Sequence, residues 1–203
     1  MLTLTEMKKQ LDSINSKSIE TYLKGTMITC GYCKNITNGF KYTYQLSKNY
    51  GDMSDYPQFK PHFSPNEMLQ CGVFEGKYLN DCISEFPKEW YITAIKDGKL
   101  SPEKADPNTN CFGIKSRMSL GEWKQRGWIP QTPNDPDDRG WFQWYCRFYI
   151  GRRIQGLDEI QIKRWKSFAR HFGQVKKNCS EGDLTCRRKQ RQALLQWGYN
   201  AFV

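Results

Sequence analysis

Residues 141–149 limit the possible folds more than any other segment, because six of these nine residues are aromatic. On an α-helix their side chains point in every direction around the axis. Such a segment is either a central helix buried on all sides, or a helix with a core face and a second aromatic face. Core packing is the preferred interpretation. In the alternative, Trp144, Tyr145 or Tyr149 stacks on a base of single-stranded or flipped nucleic acid.

The chain is large enough to form one hydrophobic core around such a helix. It has 203 residues, with seven Trp, eleven Tyr and eleven Phe among them, which supply ample apolar area for a packed interior. We therefore expect a single domain over 1–203. Its fold class is predicted to be mainly α with a small β part. A hairpin region covers about 1–60 and a helical core about 61–203.

A period-two pattern near the N-terminus predicts a small β-hairpin between about residues 26 and 47. Apolar side chains alternate with polar ones there, and the preceding Asn38-Gly39 is a strong two-residue turn signal. The alternating apolar residues are Phe40, Tyr42, Tyr44 and Leu46.

Capping boxes and glycine stops predict short helices in the first two thirds of the chain. The clearest start is Ser64-Pro65-Asn66-Glu67, which combines a capping box with proline at the first helical position. The other predicted helices are Thr3–Ile14, with Thr3 and Glu6 as its capping box, Pro87–Lys96, and Ser119–Arg126.

Three longer helices are predicted in the last third, each with an aspartate as its N-cap. They run from about Gly140 to Arg153 after Asp137 or Asp138, from Glu159 to Lys177 with Asp158 and Gln161 as the cap, and from Leu184 to Ala201 after Asp183.

Positive charge is concentrated in residues 139–203, which hold 14 Lys and Arg against 4 Asp and Glu. That excess of +10 equals the formal net charge of the whole chain, whereas residues 1–110 are balanced at 13 and 13. Such asymmetry is typical of a surface that binds a polyanion, because neutralised phosphates release their counterions. The alternative is a solvated basic surface that only keeps the protein in solution. Nucleic acid is the predicted partner, with DNA somewhat preferred over RNA.

The basic residues of this segment form three groups, and we predict that they contact nucleic acid together with Tyr149. The middle group forms a stripe beside the apolar face of the predicted helix 159–177. The third group stands at a helix start, where cations oppose the helix dipole unless Asp183 or Glu181 neutralises them. The groups are Arg152 and Arg153; Lys163, Lys166, Arg170 and Lys177; and Arg187, Arg188, Lys189 and Arg191.

The eight cysteines are expected to be mostly reduced and buried, since a chain of this size does not need disulfides. Cys30-Gly31-Tyr32-Cys33 has the spacing of half a tetrahedral zinc site. No second Cys-x-x-Cys follows, so the site could be completed only in space, by His62 with Cys71 or by Cys179 with Cys186. Structural zinc is thus a possible cofactor, beside the simpler interpretation of buried thiols.

Whether the chain is an enzyme stays open. It lacks the usual phosphate-loop, dinucleotide, serine-hydrolase and zinc-protease signatures. A carboxylate near arginines, such as Asp158 or Glu159 beside Arg152 and Arg153, would suit a glycosylase-like reaction on a base. The pair Asp81 and Glu85 is a second carboxylate set. A third hypothesis is a structural or virion-associated protein that packages nucleic acid or meets an acidic partner.

No segment approaches the roughly 18 consecutive apolar residues that cross a bilayer. The first thirty residues also carry charges throughout, unlike a signal peptide. We therefore expect no membrane partner and an intracellular location, either cytoplasmic or nuclear, or a place in a virion.

Two resemblances bear on the fold. Residues 69–78 resemble the glycine hairpin of helix-hairpin-helix DNA-binding proteins, including some DNA glycosylases, with wider glycine spacing. Over about residues 60–200 the chain resembles a family of uncharacterised proteins of cells and large DNA viruses, which implies a shared fold and no particular activity. The blocks that carry this second resemblance are Ser64–Leu69 through Gly76–Tyr78, Gly140–Arg147 through Gly151–Arg153, and Cys186-Arg187 through Gln190–Trp197.

Overall fold

The chain folds as a mainly helical protein with a two-stranded antiparallel hairpin near its N-terminus, which confirms the predicted fold class. The predicted helix Thr3–Ile14 lies largely outside the described residues. Within it the structure describes Thr5, Lys8 and Lys9, and all three are helical. The computed structural model describes residues 5, 8–9, 18–30, 42–79, 83–100, 104–115, 120–127 and 136–203.

The secondary structure consists of two short strands and a series of helices, the longest of which has eleven residues. None of the helices in the described ranges is long and apolar enough to cross a membrane. The strands are β1 (Met27–Cys30) and β2 (Tyr42–Gln45), and the helices are α1 (Pro65–Gln70), α2 (Lys88–Lys96), α3 (Leu120–Gln125), α4 (Trp141–Tyr149), α5 (Leu157–Ser167), α6 (Ala169–Asn178) and α7 (Arg188–Leu195), with 3₁₀ turns at Ile19–Thr21, Ile83–Glu85 and Pro107–Thr109.

The hairpin pairs β1 with β2 in the register Ile28 opposite Tyr44 and Thr29 opposite Thr43. Ile28 and Tyr44 are buried, while the two threonines are exposed and their hydroxyl oxygens are 3.0 Å apart. One face of the hairpin therefore packs on the helical core, as its period-two pattern predicts. The predicted Asn38-Gly39 turn lies outside the described residues.

α4 is the central helix of the molecule, with every residue from Trp141 to Phe148 buried. Phe59 reaches it from outside and packs edge-on against Tyr145 and Phe148. Trp197 packs against Trp141 from the C-terminal side. The core-packing interpretation of the aromatic run is confirmed, because no side of the helix from Trp141 to Phe148 is left for solvent.

α4 ends at Tyr149 and not at the predicted Arg153, and a backbone crossing explains the difference. Gly151 has φ of +115°. A Cβ on it would lie 2.1 Å from the carbonyl oxygen of Lys48. The amides of Ser47 and Lys48 both donate to the Gly151 carbonyl, at 2.9 and 3.1 Å. The chain after β2 thus passes directly over Gly151, and only glycine fits.

The helix caps divide into one confirmed prediction and three corrections. At α1, Ser64 and Glu67 form the predicted capping box, with Pro65 at the first position. None of the three aspartate caps of the last third exists, since glycine or arginine precedes those helices and no side chain caps them. The aspartates have other partners: Asp137 binds arginines, Asp158 binds Trp144, and Asp183 binds its own turn.

The predicted helix 159–177 is two helices, α5 and α6, with a break at Phe168. The amide of Phe168 bonds to the carbonyl three residues back, which tightens the chain for one turn. α7 is shorter than predicted because Arg187 has a left-handed backbone before it. After it, the Gly198 carbonyl accepts from the amides of His62 and Phe63.

Candidate nucleic-acid interface

Arg147 and Arg152 bind two carboxylates in the interior. Arg147 donates through Nε to Oε1 of Glu85 at 2.6 Å and through Nη2 to Oε2 at 3.1 Å. Its Nη1 donates to Oδ1 of Asp137 at 2.8 Å and to the carbonyl of Pro136. Nη2 of Arg152 donates to Oδ2 of Asp137 at 2.5 Å. Arg147, Arg152, Glu85 and Asp137 thus form one neutral group, the buried arginine cluster.

The hairpin closes over the buried arginine cluster. The ring of Tyr42 lies 5.1 Å from Cζ of Arg147, and the Tyr44 hydroxyl donates to Oε1 of Glu85 at 2.8 Å. Burial raises the pKa of Asp137, but the charges of Arg152 and Arg147 outweigh it, so the pKa is lowered and the carboxylate is ionised. Arg152 is 2% exposed. Its predicted place at a nucleic-acid surface is therefore corrected to a structural place in the core.

Arg153 is held by the loop that follows β2. Its Nε donates to Oδ2 of Asp55 at 2.9 Å, and Nη2 donates to the carbonyl of Asp52. The guanidinium stacks on the ring of Phe148, with Cζ 3.8 Å from the ring centroid. These contacts fix Arg153 as a tether between the segment after α4 and residues 52–55, which leaves it little freedom to bind phosphate.

Two further predicted residues are used inside the fold. Arg191 is fully buried and donates to the carbonyls of Ala201 and Val203 as well as to those of Asp183 and Cys186. It therefore fastens the C-terminal residues to α7 and is corrected to a structural role. Arg188 is exposed, but one guanidinium nitrogen donates to the carbonyl of Phe112 at 2.5 Å.

Four predicted cations remain available at the surface, and we call them the basic face: Lys163 and Lys166 on α5, and Arg170 and Lys177 on α6. All four side chains are exposed. No carboxylate of the described residues lies within 4.0 Å of any of them. Residues 160–180 contain six Lys and Arg and no Asp or Glu. The charge of this surface is thus not neutralised by the helices that carry it.

The apolar sides of α5 and α6 pack in the core and thereby turn the basic face toward solvent. Trp165 stacks on Tyr199 with 5.0 Å between ring centroids, and Phe168 stacks on Trp197 at 4.4 Å. Val175 is fully buried. Because one side of each helix is held in the core by these contacts, the lysines and arginines on the other side face solvent.

Of the acidic residues nearest in sequence, Glu181 is exposed four residues after Lys177 and forms no ion pair with it, and the other three have partners elsewhere. Asp158 is buried and accepts from Nε1 of Trp144 at 2.8 Å and from the amide of Ile154. Glu159 accepts from the hydroxyl of Tyr56 at 2.9 Å. Asp183, beyond α6, accepts from the amide and hydroxyl of Thr185, which lowers its pKa. The contacts described for these three carboxylates thus leave the basic face uncompensated.

A disulfide between Cys179 and Cys186 joins the end of α6 to the turn before α7. The expectation of reduced, buried thiols holds for Cys30 and Cys146 and is wrong for this pair. Exposed Arg187 follows the disulfide directly, with Nη1 bonded to Gln190 at 3.1 Å. The bridge therefore keeps the start of α7, with exposed Lys189, beside the end of the basic face.

The aromatic helix offers no base-stacking platform. Trp144 and Tyr145 are fully buried. Tyr149 is partly buried, with its ring edge-on to Tyr50 at 5.2 Å between centroids. Its hydroxyl lies 3.7 Å from where a Cβ on Gly51 would be. These contacts pack the Tyr149 ring against protein and favour a packing role, and its predicted contact with a base stays a prediction.

The predicted zinc site depends on cysteines that the structure describes only in part. Cys30 is buried at the end of β1, but Cys33 lies outside the described residues, so zinc at this pair stays a prediction. Cys179 and Cys186 cannot complete such a site while they are bonded to each other.

The segment compared with a DNA-binding glycine hairpin is packed inside the protein. A Cβ on Gly72 would lie 2.3 Å from the carbonyl oxygen of Thr109. The amide of Glu75 is bonded to Asn110, and the carbonyl of Val73 accepts from Gln192 at 2.9 Å. Because these backbone groups are used in contacts within the protein, the segment gives the DNA preference no structural support, and that preference stays a prediction.

The alternative of an enzyme requires a reachable carboxylate beside the arginines. Asp137 and Glu85 are closed off in the buried arginine cluster, and Asp158 is bonded to Trp144 in the core. Glu159, the other carboxylate named with Asp158, is exposed and accepts from the hydroxyl of Tyr56. The second member of the other carboxylate set, Asp81, lies outside the described residues. A cleft near Lys99 has an empty volume of only about 160 Å³, below the roughly 300 Å³ at which ligand pockets begin.

Arg147 is the important residue that sequence reasoning missed. Its signal is visible in the printed sequence, because it is the only charged residue in the aromatic run 141–149. A charge inside a helix that is buried on every side must have a partner nearby. Asp137 and Glu85 are those partners, at sequence separations of 10 and 62.

What the site can do chemically follows from its exposed groups, which are ammonium and guanidinium ions with no carboxylate of the described residues within 4.0 Å. Such groups can bind phosphate or carboxylate oxygens. Comparison of the chain with protein-family models, curated proteins and solved structures found no match. The candidate site is therefore a surface of exposed cations, and its own residues alone define it.

Proposed function

We propose that the protein binds nucleic acid through the basic face, Lys163, Lys166, Arg170 and Lys177. The proposal rests on one observation: the four cations are exposed to solvent, and no nearby carboxylate in the described part of the chain neutralises their charge. These four cations are solvent-exposed on two adjoining helices, and residues 160–180 contain no acid to neutralise them. The other seven predicted contacts are either used within the fold or lie at the start of α7, outside these two helices, so the proposal rests on these four.

The chemistry of the basic face favours contact with the phosphate backbone over reading of bases. Three of its four members are lysines, which act as point charges and impose little geometry on the oxygen they bind. Binding of this kind gains free energy from counterion release and tolerates any base sequence. The proposed activity is thus weakly sequence-dependent binding, with Arg187 and Lys189 placed to extend the contact beyond Lys177.

Charge reversal tests the proposal. The variant Lys163→Glu/Lys166→Glu/Arg170→Glu is expected to bind a fluorescent oligonucleotide at least about 100-fold more weakly, since three charge-assisted phosphate contacts of about 1 kcal/mol each are lost. The melting temperature should stay close to that of the wild type, because all three side chains are exposed. Fluorescence anisotropy with single-stranded and duplex DNA and RNA measures the affinity.

A control variant separates this surface from net charge alone. Lys24→Glu/Lys60→Glu/Lys96→Glu makes the same change in total charge at exposed positions outside the basic face. It should retain most of the affinity, because phosphate contacts depend on local charge. Equal losses in the two triple variants, or no binding by the wild type at low salt, would show that the basic face is not the binding surface.

A further inference from the structure

Two thiols that are 40 residues apart in the chain meet at the surface. Cys71 forms the C-cap of α1, and Cys111 follows the 3₁₀ turn Pro107–Thr109. Sγ of Cys111 donates to the carbonyl oxygen of Cys71 at 3.3 Å. Cys111 is exposed and Cys71 is partly exposed. Solvent therefore reaches a pair of neighbouring free thiols.

The backbone holds the two thiols together. Gly72, next to Cys71, lies so close to Thr109 that a Cβ would meet its carbonyl oxygen at 2.3 Å. The same carbonyl accepts from Nζ of Lys99 at 3.2 Å. Asn110, next to Cys111, bonds to the amide of Glu75 at 2.9 Å. The turn after α1 and the loop before Cys111 are thus tied by contacts on both sides of the thiol pair.

The surroundings of the pair make its two sulfurs chemically different. The hydrogen bond between the thiols raises the pKa of Cys71 and lowers the pKa of Cys111 to about 7. Burial opposes the second shift, and the positive charge of Lys99 adds to it. As a thiol, Cys111 donates to the Cys71 carbonyl; once it has lost that proton, it accepts from the Cys71 thiol. Cys111 is therefore the sulfur that ionises first and acts as the nucleophile, and Cys71 is the protonated neighbour.

We propose that Cys71 and Cys111 are a reactive dithiol, which a hydroperoxide converts into an intramolecular disulfide. The Cys111 thiolate attacks the peroxide oxygen, the O–O bond breaks, and the leaving hydroxide takes a proton to form water. Cys111 is then a sulfenic acid, which the Cys71 thiol attacks with loss of a second water. Two thiols supply the two electrons that reduce one hydrogen peroxide to two waters.

The proposed reactivity belongs to this pair and not to the other described cysteines. Cys30 and Cys146 are fully buried, and Cys179 is already bonded to Cys186. Exposed thiolates next to a resolving thiol are the ones that oxidise selectively. The dithiol is also independent of nucleic-acid binding, since it lies on α1 and the loop before Cys111 and the basic face lies on α5 and α6.

Peptide mapping of the full-length protein after brief treatment with hydrogen peroxide tests the proposal. The expected product in the wild type is a Cys71–Cys111 disulfide. In Cys71→Ser, Cys111 should remain a sulfenic acid that a dimedone-type reagent traps, whereas in Cys111→Ser the thiol of Cys71 should stay reduced. Lys99→Gln should slow alkylation of Cys111 at neutral pH by about two- to threefold, because its thiolate fraction falls.

Several outcomes would overturn the proposal. One is Cys111 bonded to Cys33, to Cys82 or to a second chain in place of Cys71. Another is oxidation of Cys111 no faster in the folded protein than in the protein unfolded in urea. A third is oxidation of Cys71 at the wild-type rate in Cys111→Ser. Circular dichroism of each variant checks that the fold is intact before its reactivity is compared.

Discussion

Arg147→Met is expected to destabilise the protein strongly. The substitution removes the guanidinium and keeps an unbranched side chain, and it leaves the carboxylates of Glu85 and Asp137 buried without the charge of Arg147. Breaking a buried ion pair in this way costs roughly 3–5 kcal/mol, against a total stability of about 5–15 kcal/mol for a domain. Thermal and urea denaturation followed by circular dichroism measure the loss.

Two companion variants make this result specific to the buried arginine cluster. Arg170→Met removes the same side chain from an exposed position on α6 and should melt at nearly the wild-type temperature. Arg147→Met combined with Glu85→Gln should recover part of the loss, because a neutral amide is less costly to bury than a carboxylate. An Arg147→Met protein as stable as Arg170→Met would contradict the structural importance of the cluster.

Trp141→Ala and Trp165→Ala should each destabilise the protein by roughly 3–5 kcal/mol, since both remove a large ring from a closely packed core. Trp141 packs against Tyr145 and Trp197, with ring centroids 5.1 and 4.8 Å away. Trp165 stacks on Tyr199 at 5.0 Å. Both variants should melt far below the wild type. If both melted at the wild-type temperature, that result would contradict the aromatic core.

Phenylalanine variants separate ring packing from hydrogen bonding at the same two positions. Nε1 of Trp141 donates to the carbonyl of Gln161 at 3.2 Å, whereas Nε1 of Trp165 has no hydrogen-bond partner in the part of the chain that the structure describes. Trp141→Phe should therefore cost about 1 kcal/mol more than Trp165→Phe. Tyr149→Ala should lower stability and leave the affinity of the folded protein for a single strand unchanged, which reverses the expectation from sequence.

Local patterns were enough to predict much of the fold. Alternation at Tyr42 and Tyr44 indicated the hairpin, and Ser64 with Glu67 indicated the start of α1. The aromatic run indicated a helix buried on all sides. Each of these signals acts between residues close in the chain, where the spacing of side chains largely decides the structure.

Contacts between distant residues explain what the sequence did not reveal. Asp137, Asp158 and Asp183 look like helix caps until their partners in space are known. Arg152 and Arg191 look like surface cations for the same reason, although both are buried. The sequence also does not show that Lys48 crosses Gly151 and shortens α4. The basic face was predicted in part, since its four residues depend only on the pattern within α5 and α6.

The salt dependence of binding tests the proposed function most directly. Affinity of the wild type for duplex DNA should fall linearly on a logarithmic plot against salt concentration. Neutralising Lys163→Gln/Lys166→Gln/Arg170→Gln should reduce the slope by about 2 to 3, since each phosphate contact contributes roughly 0.9 to it. The same slope in the wild type and the neutralised variant would contradict phosphate binding by the basic face.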